Sequence, residues 1–246
     1  MRKTADILGI PVDSVTMGEA VGKVVSFLSE NKLHAVYTPN SEIIMAARRD
    51  PSLKEILRQA DLLIPDGAGV VLAARILGRN LPQKVAGIDL VKNSFSACAH
   101  LKTRFFLLGG KPGVAEDAAK NIIRDYPGVE ISGFRHGYFS PDEEKDVIEQ
   151  INSSSTDILL VALGAPKQEK WIHKHKADLK VKVCIGIGGT LDVLSGRVRL
   201  APEFFRRNGL EWLYRLCMEP RRYKRMMYLP AFILIVLRER IRPETK

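Results

Sequence analysis

Asp66 is the side chain best placed for proton transfer. It follows the apolar run LLIP and precedes Gly67, Ala68 and Gly69, so little bulk crowds its carboxylate. A carboxylate so placed can remove a proton from an attacking hydroxyl. Capping the helix that begins at Gly67 is the other use of the residue, and the two are compatible. Thr38, Asn40 and Ser41 form a second polar group behind an apolar run, HAVY. Asn40 or Ser41 suits a helix N-cap, and the same groups suit the hydroxyls of a ligand.

Two further stretches have the chemistry of anion recognition. LLGGKPGVAEDAAK sets Gly109 and Gly110 between an apolar run and a helical one. Backbone amides at such a junction favour phosphate, and glycine permits close approach. The dinucleotide pattern G-x-G-x-x-G is broken by Leu108, and VEISGF lacks a terminal acid to hold a ribose, which disfavours a nicotinamide-dependent enzyme. In GAPKQEKW, Gly164 and Pro166 turn the chain, and Lys167, Gln168 and Glu169 open a helix. Lys167 suits phosphate, and Gln168 offers both a donor and an acceptor; solvated first-turn side chains are the plainer reading. His173 and His175 lie two apart, so on a helix they diverge. With no D-x-D pair either, we expect neither a metal nor any cofactor.

These residues need a scaffold that gathers them. Short apolar runs at His34–Thr38, Leu62–Pro65, Arg104–Leu108, Val129–Phe134, Asp157–Leu163 and Val181–Ile187 alternate with helical stretches, the pattern of an α/β fold. Continuously apolar strands are those covered on both faces. Helices are predicted after the capping-box pair Thr16 and Glu19, after Asp50–Pro51, and over Gly67–Leu77, Pro112–Tyr126, Pro141–Ile151 and Pro166–Lys176. In open parallel sheets ligands bind beyond the carboxyl ends of strands, which puts YTPNSE, IPDGAG, LLGGKPG, ALGAPKQE and GIGGTLD on one rim.

The 246 residues divide by charge. Residues 197–246 carry thirteen Lys/Arg against five Asp/Glu, a net of +8 in a chain of net +10, so residues 1–196 are nearly neutral. A basic tail on a neutral body indicates an anionic partner: phospholipid, nucleic acid or a pyrophosphate. Within it Met226–Leu237 is twelve apolar residues flanked by Arg, short of the ~20 that a membrane span needs but suited to lying in a membrane interface. Packing on the body, or a homo-oligomer contact, is the alternative use. Cys98, Cys184 and Cys217 are widely spaced and are expected to be small buried side chains. The N-terminus lacks the apolar stretch of a signal peptide, which leads us to expect a cytoplasmic body.

Together the stretches TPNSEIIMAARRDPSLKEILRQADLLIPDGAGVVLAARILG, VAGIDL, LLGGKPGVAEDAA, GAPKQEKWI and GIGGTLDVLSGRVRLAPEFFRRNGLEWLYRL resemble the WecG/TagA/CpsF family of bacterial glycosyltransferases. The resemblance implies a two-lobed, Rossmann-like α/β body over residues 1–196 and a C-terminal membrane-associating helical appendage over 197–246. It implies inverting transfer of N-acetylmannosamine from UDP to the 4-hydroxyl of undecaprenyl-diphosphate-linked N-acetylglucosamine, in β1,4 linkage, for wall teichoic acid. Some relatives use N-acetylmannosaminuronic acid instead. Asp66 matches the family's proposed base, Thr38 and Asn40 its polar pocket pair, and Gln168 the Gln of GAPKQE. Lys84 stands where the family often has Arg, so charge is kept but bidentate contact is lost. Arg215, Arg222 and Arg225 are implied to reach a diphosphate, and Gly109, Gly110, Gly164, Pro166 and Lys167 to border the nucleotide. The implied partners are a UDP-sugar, a polyprenyl-diphosphate acceptor and the anionic inner face of the cell membrane, with peripheral attachment there. A nucleic-acid-binding module is the rival that the basic tail suggests, but the neutral body and the apolar run speak against it. A non-catalytic scaffold is the other.

Overall fold

The computed structural model describes residues 2–218 and 227–241. A hairpin of β1 (Thr4–Ile7) and β2 (Ile10–Asp13) precedes a six-stranded sheet. The sheet contains β3 (His34–Tyr37), β4 (Leu62–Leu63), β5 (Arg104–Gly109), β6 (Glu130–Arg135), β7 (Ile158–Ala162) and β8 (Val183–Gly186), in the order β4-β3-β8-β7-β5-β6. Every pairing in it is parallel. The architecture is a Rossmann-like α/β sheet, and all six predicted strands are present, four of them trimmed, β5 one residue longer and β6 shifted by one residue. The hairpin forms a separate two-stranded sheet, and β3 to β8 form one continuous sheet.

Parallel strands need crossovers, and these cover both faces. Alternate strand residues separate accordingly. Phe106 and Leu108 face one core, with α2 (Ser41–Arg49), α3 (Pro51–Arg58), α4 (Ala68–Ile76), α7 (Glu144–Ser153) and α8 (Lys167–Lys174). Phe105 and Leu107 face the other, with α1 (Met17–Phe27), α5 (Gly87–Cys98), α6 (Val114–Asp125) and α9 (Thr190–Leu194). The N-terminal signals act as their chemistry requires. Thr16 and Glu19 close a capping box on α1, and Asp50 caps α3, whose first turn contains Pro51. The hairpin β1–β2 and the helix α5 lay outside the sequence reading.

The C-terminal segment is helical: α10 (Glu203–Arg207), α11 (Glu211–Met218) and α12 (Tyr228–Ile241). Phe232 and Val236 of α12 are fully buried in the core that α2 and α4 share, so this apolar helix packs on the body by one side. Its other side leaves Leu234, Leu237 and Ile241 exposed. Among the described residues no helix is long and apolar enough to cross a membrane. Cys98 and Cys184 are buried as expected; Cys217 is exposed, because α11 lies at the periphery instead of inside the core.

One buried carboxylate ties the hairpin to the sheet. Asp13, with no exposed surface, accepts from Arg2 Nε and Nη2 at 2.8 and 2.6 Å, from Lys23 Nζ at 3.3 Å and from the Leu63 amide at 2.7 Å. Removing it strands the Leu63 N–H and leaves both cations without their partner. Asp13→Ala should lower the unfolding free energy by about 3 kcal/mol in urea titration; a change below about 1 kcal/mol would show the network to be dispensable.

Candidate active site

The carboxyl ends of the strands open on one rim. Asp66 lies just beyond β4, Thr38 and Asn40 beyond β3, Gly186–Thr190 beyond β8, Gly164–Gln168 beyond β7, and Gly109–Gly110 at the end of β5. From β4 to β5 is four strand steps, about 19 Å at the ordinary spacing of neighbouring strands. That is room for two substrates lying end to end.

At the Asp66 end, each local feature keeps the carboxylate clear of bulk. Gly67, at φ 84°, is the N-cap of α4, so the capping position belongs to a residue with no side chain. Asp66 itself is half-buried. Asn40 lies beside the next residue, since a Cβ on Gly67 would come to 3.9 Å from the Asn40 Cβ. The Asn40 Oδ1 accepts from Ile43 N at 3.1 Å and caps α2. Thr38 is buried and donates its hydroxyl to the Gly186 carbonyl at 3.2 Å, bridging β3 to β8.

The β5 end lies where the connections of the sheet change direction. The chain leaves β5 outward to β6 but leaves β7 in the opposite direction to β8, so the neighbours β5 and β7 form the switch point of the sheet. Here the Gly110 amide donates to the Ala162 carbonyl at 3.1 Å. Gly109 has φ 137°, and any Cβ on it would overlap that same carbonyl. Only glycine lets the two strand ends meet so closely.

Gln168 occupies the ground between these ends, and it is almost wholly buried. Its Oε1 accepts from the Gly188 amide at 3.0 Å, and its Nε2 donates to Glu169 Oε1 at 2.9 Å. Glu169 has no exposed surface, and its Oε2 has no hydrogen-bond partner. Loss of hydration pushes its carboxyl up to about 7. Reading KQE as a solvated first turn therefore holds only for Lys167, which is exposed with its ammonium 5.4 Å from the centre of the Phe139 ring. The buried stripe of Gln168, Trp171, Ile172 and His175 has helical spacing and was the available signal. His173 is exposed while His175 is buried, so the two diverge as their spacing requires.

The C-terminal helices close on the Asp66 end. Lys84 forms an ion pair with Glu211 and donates to the Arg206 carbonyl at 3.2 Å. Arg206 Nη2 lies 2.6 Å from both carboxylate oxygens of Asp89. The turn between α10 and α11 sits on the start of α4, since a Cβ on Gly209 would be 2.7 Å from the Ala68 Cβ. Leu229 of α12 fills the space beside Gly69 in the same way. Glu211, Asp89 and Arg206 escaped the sequence reading because nothing local couples residues over a hundred positions apart. Arg215 falls within α11, and Arg222 and Arg225 lie outside the described residues. Among the described residues no three His, Cys, Asp or Glu side chains gather as a metal site.

A parallel sheet covered on both faces, with its polar side chains collected on the carboxyl rim, is the architecture of a Rossmann-like α/β enzyme. The sequence matches the model of the glycosyl transferase WecG/TagA/CpsF family over residues 5–246, and the chain belongs to that family. It is similar to the N-acetylglucosaminyldiphosphoundecaprenol N-acetyl-beta-D-mannosaminyltransferase of Bacillus spizizenii, with 37% identity over 87% of this chain and 82% of the relative. The enzyme of that name from Bacillus subtilis strain 168 is 35% identical over 96% of this chain and 92% of its own length. The Staphylococcus aureus MRSA252 enzyme is 32% identical over 93% and 90%.

The raised carboxyl of Glu169 has a measurable consequence. Its value rises from the ordinary 4.5 of the unfolded chain to about 7, so between those values the folded state holds a proton that the unfolded state has lost. Stability falls as pH rises through this window, and the penalty is complete above it. Glu169→Gln abolishes that titration. The variant should gain on wild type between about pH 5 and pH 8 by an amount on the order of 2–3 kcal/mol, read from urea midpoints. A difference that stays constant across the window would contradict the assignment.

Proposed function

We propose that this chain is an inverting N-acetylmannosaminyltransferase. It moves N-acetylmannosamine from UDP to the 4-hydroxyl of undecaprenyl-diphosphate-linked N-acetylglucosamine and so builds the linkage unit of wall teichoic acid. The observation that carries this reading is the coincidence of near-full-length similarity to enzymes named for that transfer with a rim that holds a carboxylate at one end and a glycine-bordered switch point at the other. UDP lies against Gly109, Gly110, Gly164, Pro166 and Lys167, where backbone amides and a lysine meet its phosphates. The body works as two lobes, a Gly109 side for the donor and an Asp66 side for the acceptor. Thr38, Asn40 and Gln168 frame the sugar between them.

The reaction is one displacement. The acceptor 4-oxygen attacks C1 of the donor sugar, the bond from C1 to the phosphate oxygen breaks, and UDP leaves with the electron pair. Asp66 takes the hydroxyl proton as the new bond forms. Positive charge from Lys84 and from Arg215, Arg222 and Arg225 balances the diphosphates. An ammonium has three donors; two are engaged on Glu211 and Arg206, leaving one for a phosphate oxygen. Acceptor-dependent UDP release should fall at least ~100-fold in Asp66→Asn with folding intact. Near-normal turnover in that variant would remove Asp66 from the role of base, and a wild type active only with the uronic-acid donor would change the sugar assigned.

We assign the basic C-terminal segment, residues 197–246, to the anionic inner face of the cell membrane, where the acceptor's polyprenyl tail is held. The exposed Leu234, Leu237 and Ile241, beside Arg238 and Arg240, support this reading. Wild type should sediment with phosphatidylglycerol vesicles less strongly as salt rises. Leu234→Glu combined with Ile241→Glu should abolish that binding without unfolding the body. Undiminished binding by this double variant would place the contact elsewhere.

A further inference from the structure

Glu169 is a carboxyl that the proposed chemistry does not use. It sits at the third position of α8 with no exposed surface, its backbone carbonyl accepting from the Tyr37 hydroxyl of β3 at 3.4 Å. Its Oε2 has no partner, and burial holds its proton affinity well above that of an ordinary carboxyl. A buried, half-satisfied carboxyl costs stability, and an apolar side chain of the same length would fill the space at less expense. Packing alone gives no reason for an acid here. Its one directed side-chain contact does.

That contact settles an ambiguity in Gln168. An amide side chain can be turned either way, and only its surroundings decide which end faces where. The Gly188 backbone N–H can only donate, so the Gln168 oxygen must face it, at 3.0 Å. The NH₂ group is thereby turned toward Glu169, whose Oε1 accepts at 2.9 Å. The segment Gly186–Gly188 is thus held from below by the amide. The same segment supplies the Gly186 carbonyl that receives the Thr38 hydroxyl at 3.2 Å. The amide also lies against Gly186, where a Cβ would come to 3.0 Å from Gln168 Nε2.

We infer that Glu169 is a positioning residue: by accepting from Gln168 it fixes the turn after β8, and through that turn the Thr38 hydroxyl at the end of β3. The role needs an acceptor oxygen at the Oε1 position and does not need a negative charge. It reaches turnover only if Thr38 and Gln168 frame the sugar, and so rests in that respect on the proposed transfer reaction.

Two variants separate positioning from packing. Glu169→Gln keeps an oxygen facing Gln168, whereas Glu169→Met keeps the length and removes the acceptor. Hydrogen exchange at the amides of residues 186–190, read by mass spectrometry, should be about tenfold faster in Glu169→Met and within about twofold of wild type in Glu169→Gln. Steady-state UDP release should show the KM for UDP-N-acetylmannosamine raised by about tenfold in Glu169→Met, with kcat changed by less than about threefold and the Gln variant restored. The thermal midpoint of Glu169→Met should be no lower than that of wild type, which excludes a merely unfolded variant. Wild-type exchange in a folded Glu169→Met overturns the inference, as does a Gln variant as impaired as the Met variant. Absence of turnover in wild type would count against the transfer reaction alone, since the exchange measurement decides the role of Glu169 independently.

Discussion

Six strands that all run the same way must send their connections over the two faces of the sheet, and this geometry leaves every carboxyl end on one edge. Loops at that edge need not pack against a partner layer, so polar residues can collect there without burying unsatisfied groups. The two ends of the rim meet the requirement differently. At β5 and β7 glycines let backbones approach until the Gly110 amide reaches the Ala162 carbonyl. At β4 the small residues Gly67, Ala68 and Gly69 leave space that Gly209 and Leu229 come in to border. One end is shaped by the sheet itself, the other by segments from far along the chain.

This second contact explains why the C-terminal helices are joined to the body by charge and by apolar packing together. Phe232 and Val236 bury α12 on α2 and α4, which gives attachment that salt does not screen. Lys84–Glu211 and Arg206–Asp89 are half-buried ion pairs, worth less individually but directional. They set where the α10–α11 turn lies with respect to Asp66. A lysine can serve at position 84 because one of its contacts is a backbone carbonyl and the other a single carboxylate, neither requiring the planar fork of arginine.

Much of the fold could be read from local signals. Apolar runs marked all six strands of the sheet, and the Thr16–Glu19 box and the Asp50–Pro51 pair marked helix starts by chemistry that needs no tertiary partner. Placing YTPNSE, IPDGAG and ALGAPKQE on one rim followed from parallel topology alone. What stayed illegible was set by distant partners. Glu169 looks solvated in KQE because it stands among charged first-turn neighbours, and only the apolar Trp171 and Ile172 one turn on signal that α8 turns that face inward. Lys84 looks free for a ligand until Glu211 comes into view. The hairpin β1–β2 was missed because its strands are four residues long and bounded by a turn at Leu8–Gly9 that carries no Asn-Gly or Asp-Gly signature.

Two fully buried carboxyls show how burial alone fails to identify a functional group. Asp13 is surrounded by Arg2, Lys23 and the Leu63 amide, and both its oxygens are bonded. Every acceptor of such a group is matched by a donor, and its place between the hairpin and β4 accounts for it. Glu169 has the same exposure but one side-chain donor, an oxygen without a partner and no cation bonded to it. Desolvation there outweighs the bond from Gln168, so the fold gives up stability to keep the acid. A fold retains such a group where its hydrogen bond orients something else, and here that something is the amide beneath the turn that carries the Thr38 contact. The number and kind of partners, more than depth, separate the carboxyl that holds the fold together from the one that shapes the site.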